Sequence, residues 1–144
     1  YFQEVQRWAN ILPQNFLRRT ARDTEAGGHL IKEGTPICPQ ISVLMTDEEI
    51  FPDPFSFAPD RFIDESGKLR SFKQFLPFSI GKRQCPGEGL AKTELFLFFA
   101  NLAHRFNIFA VDPTKIPSIK RTMANVTKPE PFQCVVKRRV VQKI

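Results

Sequence analysis

The chain has 144 residues and 42% hydrophobic content, enough for about one domain with a packed core, which excludes an intrinsically disordered chain. Its formal net charge is +6 at pH 7. Such a charge suits an acidic partner, nucleic acid or an anionic membrane, but the scattered basic residues favour an ordinary solvated surface. Three cysteines without CxxC spacing argue against a disulfide scaffold and a structural zinc site, and for a reducing compartment. No apolar run reaches the roughly 18 residues of a membrane-spanning helix.

The first third of the chain is predicted to hold one helix followed by strands. Apolar side chains share one face over residues 1–11, which indicates a helix that Pro13 ends. Strand character recurs in two stretches that glycine turns divide: residues 16–24 and 29–45, with turns at 26–28 and Gly34.

The rest of the chain is predicted to mix one long helix with short elements. Residues 51–62 contain three prolines, too many for a regular element, so we expect an ordered irregular segment. The amphipathic run over residues 88–106 indicates a helix. The remaining elements are short: a helix start at 47–50, a turn at 64–67, and strands at 106–111, about 119–127 and 132–141. The fold class is therefore α+β, with short antiparallel strands and an irregular meander.

Residues 78–87 place Cys85 in a loop with glycines on both sides and an arginine two residues before it. A cysteine thiol in water has a pKa near 8.5, so a thiolate at neutral pH needs a favourable environment. The helix that begins just after Cys85 supplies the positive end of its dipole. The neighbours of Cys85 fit a metal-bound thiolate. Gly81 allows a tight turn, and Gly87 lets the backbone approach the sulfur closely. Arg83 can contact an anion beside the metal, and Phe78 can pack under the loop and exclude water. A buried free cysteine is the alternative.

These ten residues have the pattern Phe-x-x-Gly-x-Arg-x-Cys-x-Gly, which resembles the haem-binding loop of the cytochrome P450 family. The resemblance implies that Cys85 is the axial thiolate ligand of haem b iron and that Arg83 contacts a haem propionate. It also implies that Ala91 lies against the porphyrin, in a segment over residues 88–96 that looks like the family's L helix. A thiolate ligand donates electron density to the iron and favours O–O cleavage.

Two further segments resemble parts of the same family. Glu4 and Arg7 form a Glu-x-x-Arg pattern, and i,i+3 spacing puts both side chains on one helix face. Alone this pair is typical of a helix surface, but the family carries such a pair on its K helix. Residues 58–62, Ala-Pro-Asp-Arg-Phe, resemble the segment whose arginine completes a Glu–Arg–Arg cluster. Glu4, Arg7 and Arg61 are therefore predicted to form a structural cluster behind the haem.

The resemblance also implies residues that face ligands. The stretch after the first helix corresponds to a substrate-contacting part of the family, so Asn15, Phe16 and Leu17 are predicted to face a substrate. Arg18 aligns with a basic residue that meets a haem propionate, and a solvated arginine is the alternative. A second substrate-facing point is predicted at residues 123–126.

Other polar residues are predicted to have no catalytic role. His29 and His104 lack metal-ligand spacing. Asp23-Thr24 looks like an acid–alcohol pair for proton delivery, but it lies in a strand-like segment. The basic residues 137–139 have no aromatic interleaving, so we interpret them as a charged edge strand and expect no nucleic-acid partner.

The resemblance covers essentially all 144 residues, as the C-terminal part of a single domain of the mainly α-helical cytochrome P450 fold. The N-terminal two thirds would hold the membrane anchor and the long oxygen-activating helix with its acid–alcohol pair, so we interpret the chain as a fragment. Haem normally lies between that helix and the cysteine loop. The isolated chain is therefore expected not to turn over substrate.

For the intact parent, the resemblance implies a haem-thiolate monooxygenase that inserts one oxygen atom from O₂ into a small apolar organic substrate. Electrons would come from NADPH–cytochrome P450 reductase on the basic proximal face, where Lys73, Lys82 and Lys92 are candidates. The pattern is closest to microsomal animal members, which implies the cytosolic face of the endoplasmic reticulum membrane. Two alternatives stay open: a haem-thiolate isomerase or dehydratase that needs no reductase, and a non-catalytic haem-binding remnant.

Overall fold

The computed structural model describes residues 1–122 and 124–139, which form short helices and strands joined by irregular segments. The helices are α1 (Phe2–Ala9), α2 (Ile41–Met45) and α3 (Glu88–Arg105). The strands are β1 (Arg18–Arg19), β2 (Thr24–Ala26), β3 (His29–Ile31), β4 (Pro36–Ile37), β5 (Phe106–Ala110), β6 (Arg121–Thr122), β7 (Lys128–Pro129) and β8 (Cys134–Arg138). This mixture agrees with the predicted α+β class.

The strands pair as separate two-stranded antiparallel sheets: β1 with β4, β2 with β3, β5 with β8, and β6 with β7. Left-handed glycines confirm the predicted turns: Gly27, Gly28, Gly34 and Gly67, with φ of 59°, 79°, 78° and 78°. The first strands are shorter than expected. The Gly34 N–H donates to the Thr20 carbonyl oxygen at 2.9 Å. Beyond Thr20 the chain leaves the sheet of β1 and β4 and continues into the sheet of β2 and β3.

α1 is confirmed as a helix, but it ends at Ala9 rather than at residue 11. Asn10 adopts a left-handed conformation with φ of 41°, and its N–H donates to the Gln6 carbonyl oxygen at 3.0 Å. The buried face of the helix carries Glu4 and Arg7. The helix therefore contributes charge, not only apolar surface, to the interior.

The predicted strand character of residues 41–45 is wrong, because α2 occupies them. Its residues Ile41 and Met45 are both buried, and the Ser42 N–H donates to the Pro13 carbonyl oxygen at 2.8 Å. The run Ile-Ser-Val-Leu-Met has no decisive period, so the contact with the segment after α1 decides its conformation.

The helix start predicted at residues 47–50 is also wrong, because these residues form a turn. The Asp47 carboxylate accepts the Glu49 N–H at 2.9 Å, and the Asp47 carbonyl oxygen accepts the Phe51 N–H at 2.8 Å. An aspartate that bonds to nearby backbone N–H groups favours such a turn over a helix interior.

Residues 51–62 form the expected irregular segment, apart from a 3-10 turn at Pro59–Phe62. An aromatic cluster packs against this segment. The ring centroid of Phe72 lies 4.9 Å from that of Phe51 and 5.3 Å from that of Phe62. Phe51 and Phe62 are both fully buried. Much of the described apolar core therefore lies in a segment without regular secondary structure.

Replacing Phe62 with alanine is expected to lower the free energy of unfolding by about 3–5 kcal/mol, because a large buried ring is lost. Urea unfolding followed by circular dichroism measures this change. Phe55→Ala is the matched control, since Phe55 lies in the same segment but is 66% exposed, and it should change stability by only about 0.5 kcal/mol. Equal losses in the two variants would contradict this placement of the core.

α3 confirms the predicted helix over residues 88–106, except that Phe106 begins β5. None of its residues is buried within the described part of the chain. Its exposed large apolar side chains are Leu90, Leu95, Phe96, Leu97, Phe98, Phe99 and Leu102. Phe2 of α1 contacts two of them, with ring centroids 5.9 Å from Phe96 and 5.2 Å from Phe99. Among the helices described, none is both long and apolar enough to cross a membrane.

β5 and β8 confirm the strands predicted at residues 106–111 and 132–141, although residues 140 and 141 lie outside the described residues. The single strand predicted at about 119–127 is instead the pair β6 and β7, because the chain reverses direction between them. Residue 123 of the predicted substrate-facing point also lies outside the described residues.

Candidate functional site

Cys85 lies in a loop that backbone hydrogen bonds close. Its N–H donates to the Phe78 carbonyl oxygen at 2.9 Å, and the Gln84 N–H donates to the Gly81 carbonyl oxygen at 3.0 Å. Gly81 has φ of 78° and begins a 3-10 turn that ends at Arg83. The chain thus turns back on itself, and Cys85 stands just before α3 with its thiol exposed and outside any disulfide.

α3 begins at Glu88, three residues after Cys85, so the positive end of its dipole lies on the side of the thiol. The Glu88 N–H donates to the Cys85 carbonyl oxygen at 3.4 Å, and the Ala91 N–H donates to the Gly87 carbonyl oxygen at 2.9 Å. These bonds join the loop directly to the first helical turn. The arrangement favours a negative charge at the loop.

Gly87 leaves space beside the sulfur. A Cβ on Gly87 would lie 3.9 Å from Cys85 Sγ, an ordinary van der Waals distance, and its φ of −92° suits any residue. Nothing in the described chain therefore requires a glycine at this position. The open space next to Sγ fits the close approach of a flat cofactor.

A polar chain along the outside ties the loop to α3. The Lys92 ammonium lies 2.6 Å from Glu88 Oε1, and the Gln84 side-chain amide donates to the other oxygen of Glu88. Hydrogen bonds from Lys92 and then from Gln84 hold the pKa of Glu88 below its ordinary value. Lys92 Nζ also lies 5.8 Å from the ring centroid of the half-buried Phe78. Part of the charge of Lys92 is thus balanced within the chain.

The donor set around Cys85 can be compared with what a metal needs. The described residues contain no group of three or more His, Cys, Asp or Glu side chains that could hold a bare metal ion. Cys85 offers one soft sulfur, which suits a metal whose other ligands come from a porphyrin. The residues present therefore fit a haem.

The structure brings the predicted substrate-facing segment to this loop. The Asn15 side-chain amide donates to Ser79 Oγ at 2.9 Å. Next to it, Phe16 and Leu17 are 77% and 69% exposed, so they present apolar surface beside the loop. Arg18 is half-buried in β1, where it pairs with Ile37 of β4. Arg83 is exposed, whereas Ala91 is half-buried on the first turn of α3.

A second group of predicted residues meets in the interior, apart from this loop. Glu4 accepts two hydrogen bonds from Arg7, at 2.7 Å from Nε and 2.8 Å from Nη2, and one from Arg61 Nε at 3.3 Å. The Ala58 N–H donates to the same carboxylate at 2.9 Å. The side chains of Glu4, Arg7 and Arg61 are 0%, 1% and 10% exposed. In the described residues no hydrogen bond joins this cluster to Cys85.

Backbone carbonyl groups complete the cluster. Arg7 donates to the carbonyl oxygens of Met45, Pro54 and Ser56 at 2.9, 2.8 and 3.2 Å. Arg61 donates to those of Pro52, Asp53 and Ser56 at 2.8, 3.1 and 3.3 Å. The two guanidinium groups therefore fasten the irregular segment to α1.

The environment of Glu4 favours its ionised form. Burial by itself raises the pKa of Glu4, but the hydrogen bond and charge of Arg7 and the Ala58 N–H outweigh it. The charge of Arg61 acts in the same direction. The pKa of Glu4 therefore lies below its ordinary value of 4.5.

The free energy of unfolding is expected to fall as the pH drops below 4.5, the ordinary pKa of Glu4. Because the folded pKa is the lower one, the contribution of Glu4 is fully present above the unfolded pKa and is lost as the pH passes down through the folded pKa. Urea unfolding from about pH 6 to about pH 3 measures this fall. Asp23→Asn with Asp64→Asn is the control, since hydrogen bonds to those exposed carboxylates also lower their pKa. A free energy of unfolding that stays constant over this pH range would show that the fold does not stabilise Glu4 as an anion.

Two residues near these groups had no assigned role from sequence. Ser79 has φ of 65°, which a residue with a Cβ rarely adopts. Arg121 donates to the Trp8 carbonyl oxygen, and its guanidinium carbon lies 5.7 Å from the Trp8 ring centroid. Burial and then the charge of Arg7 lower the pKa of Arg121. Neither residue belongs to a local pattern that could have indicated these contacts.

The cytochrome P450 family model matches residues 1–136. Cytochrome P450 2D3 of Rattus norvegicus is 41% identical over 136 residues, which cover 94% of this chain and 27% of that protein. Cytochrome P450 2S1 of Homo sapiens is 39% identical over 135 residues, covering 93% and 27%. The 3-ketosteroid oxygenase of Caenorhabditis elegans is 38% identical over 126 residues, covering 88% and 22%. The chain spans about a quarter of the length of these relatives.

The match extends far beyond the cysteine loop, through both groups of residues described above. Identity near 40% to relatives across almost the whole chain agrees with the family model. The resemblance carried by Cys85 and its neighbours is confirmed, and this chain belongs to the cytochrome P450 family.

Proposed function

We propose that this chain carries the haem-ligand side of a haem-thiolate monooxygenase, with Cys85 as the axial ligand. The observation that carries the proposal is the exposed thiol in a closed loop at the start of α3, in a chain of the cytochrome P450 family. When bound, haem b would supply the activation of O₂ and the insertion of one oxygen atom into a small apolar organic substrate.

The other residues of the site have binding roles in this proposal. Gly87 would allow the haem to approach the sulfur closely, Ala91 would lie against the porphyrin, and Phe78 would pack under the loop and help to exclude water once haem is bound. The exposed Arg83 and the half-buried Arg18 would pair with propionates. The segment Asn15, Phe16 and Leu17 would face the substrate, with apolar contact from Phe16 and Leu17.

The parent protein would also need an electron donor. We propose NADPH–cytochrome P450 reductase, bound through the exposed Lys73, Lys82 and Lys92. Glu88 shares the charge of Lys92, so the other two lysines would contribute more to docking. The animal relatives support a place on the cytosolic face of the endoplasmic reticulum membrane.

Two preparations test the proposal. The first is this chain mixed with haem, which should show the red-shifted Soret band of thiolate-ligated ferrous haem with CO but no turnover. The second is a chimera in which this chain replaces the matching 27% of the rat relative, and it should show the same band and oxidise an apolar substrate with reductase and NADPH. A chimera that folds but lacks this band would overturn the ligand assignment. Turnover by the chain alone would overturn its expected inactivity.

A further inference from the structure

Asn15 and Ser79 connect two parts of the candidate site. Their side chains bond at 2.9 Å, although the residues are 64 positions apart, and both are half-buried. Within residues 1–122 and 124–139, this is the one hydrogen bond that joins the first 75 residues to the loop at residues 77–87. The bond therefore links the segment that carries Phe16 to the loop that carries Cys85.

Hydrogen bonds to neighbouring backbone groups and to Cys38 fix the position of Asn15. Its N–H donates to the Pro39 carbonyl oxygen at 2.8 Å, and its carbonyl oxygen accepts the Cys38 thiol at 3.0 Å. Its Oδ1 accepts the Phe16 N–H at 2.8 Å. Because Oδ1 takes a backbone N–H, only Nδ2 of the amide faces Ser79. The backbone thus fixes the direction of the bond.

Ser79 occupies a conformation that its neighbours must hold. Its φ of 65° lies in the left-handed region, which persists at a residue with a Cβ only where surrounding contacts impose it. The Ser79 N–H donates to the Leu76 carbonyl oxygen at 2.9 Å, and the preceding residue, Phe78, accepts the Cys85 N–H. A change at Ser79 therefore reaches the backbone of Cys85 through one adjacent peptide.

We propose that Asn15 and Ser79 are positioning residues that hold the Cys85 loop in place from the substrate-facing segment. The relevance to haem rests on the proposed function. The bond itself acts in the haem-free chain, so it can be tested separately.

Hydrogen exchange of the haem-free chain, read by mass spectrometry on a peptide covering residues 77–87, tests the bond. Ser79→Ala and Asn15→Ala should each raise the exchange rate about three- to tenfold. On this peptide the double variant should match either single variant, because both remove the same bond to the loop, and the Phe16 N–H bond that Asn15→Ala also loses lies outside the peptide. Asn15→Asp should stay near the unsubstituted chain, since its carboxylate can accept both the Phe16 N–H and the Ser79 hydroxyl.

Two further variants separate the bond from other effects. Ser79→Gly relieves the left-handed strain but removes the acceptor, so it should also loosen the loop. Ser42→Ala is the matched control, because it removes a side-chain bond from Gln40, 2.6 Å long, in another part of the chain, and should leave the peptide unchanged. Slower exchange in Ser79→Gly, unchanged exchange in Asn15→Ala, or additive effects of the two alanines would overturn the proposal.

The haem-loaded chimera gives a second measurement. Ser79→Ala should lower the share of the thiolate-ligated Soret band, and Asn15→Asp should preserve it. If the unsubstituted chimera lacks the band, the proposed function fails, and the exchange measurements still decide the role of Asn15 and Ser79. If the band is present but insensitive to Ser79→Ala, the proposed function stands and the positioning role is wrong.

Discussion

Replacing Cys85 with serine is expected to abolish the thiolate-ligated haem spectrum completely. A serine hydroxyl does not ionise at neutral pH and does not supply the electron-rich sulfur that gives this spectrum. The measurement is the reduced, CO-bound absorption spectrum of the haem-loaded chimera before and after the substitution. Oxidation of the substrate should be lost with the spectrum.

The chain offers two matched controls for this prediction, because Cys38 and Cys134 are also exposed. Cys38→Ser and Cys134→Ser should each retain the spectrum. Loss of the band in either control, together with its survival in Cys85→Ser, would assign the ligand to another sulfur.

Replacing Arg7 with methionine is expected to lower the free energy of unfolding by about 3–5 kcal/mol, because it leaves the buried Glu4 carboxylate with only Arg61 and the Ala58 N–H as partners. Arg61, at 3.3 Å, does not replace the two shorter bonds that Arg7 makes. The substitution also leaves the carbonyl groups of Met45 and Pro54 without their donor, whereas that of Ser56 keeps Arg61. Urea unfolding of the chain and the yield of haem-loaded chimera measure the effect.

The surface pair Lys32–Asp23 is the control for Arg7. Its atoms are also close, at 2.8 Å, but its side chains are 71% and 50% exposed, so Lys32→Met should cost less than about 1 kcal/mol. Arg61→Ala should fall between the two, since Arg61 is less deeply placed, and it should still reduce the yield of haem-loaded protein. Adding Glu4→Gln to Arg7→Met should recover part of the loss, because it removes the unpaired charge. No recovery would show that the carbonyl bonds, not the ion pair, dominate.

Much of the candidate site could be predicted because short patterns determine it. The helix after Cys85 follows from apolar spacing, and the turn before it follows from Gly81. The meeting of Glu4 with Arg61 spans 57 positions, and only the family resemblance made it foreseeable. A local pattern could indicate the helix pair Glu4 and Arg7, but not their distant partner.

The errors and omissions share a physical origin in tertiary contact. Residues 41–45 form a helix because the Ser42 N–H bonds to Pro13 and the side chains of Ile41 and Met45 are buried. No local sequence period encodes these contacts. The left-handed Ser79 bonds through its side chain to Asn15, which is 64 positions away in sequence. The backbone carbonyl groups that accept hydrogen bonds from the two arginines cannot be predicted from side-chain identity, since every residue carries a backbone carbonyl.

The way Arg7 is bound bears on how this segment can vary between related proteins. Its partners outside α1 are carbonyl oxygens of residues 45, 54 and 56, and a carbonyl survives any substitution. The exposed side chains of that stretch, such as Phe55 and Ser56, are therefore free to change while the path of the chain stays the same. We expect relatives to keep Arg7, Arg61 and Glu4 while the residues whose carbonyl groups they bind vary. The backbone path of this segment should therefore be preserved more strictly than its sequence.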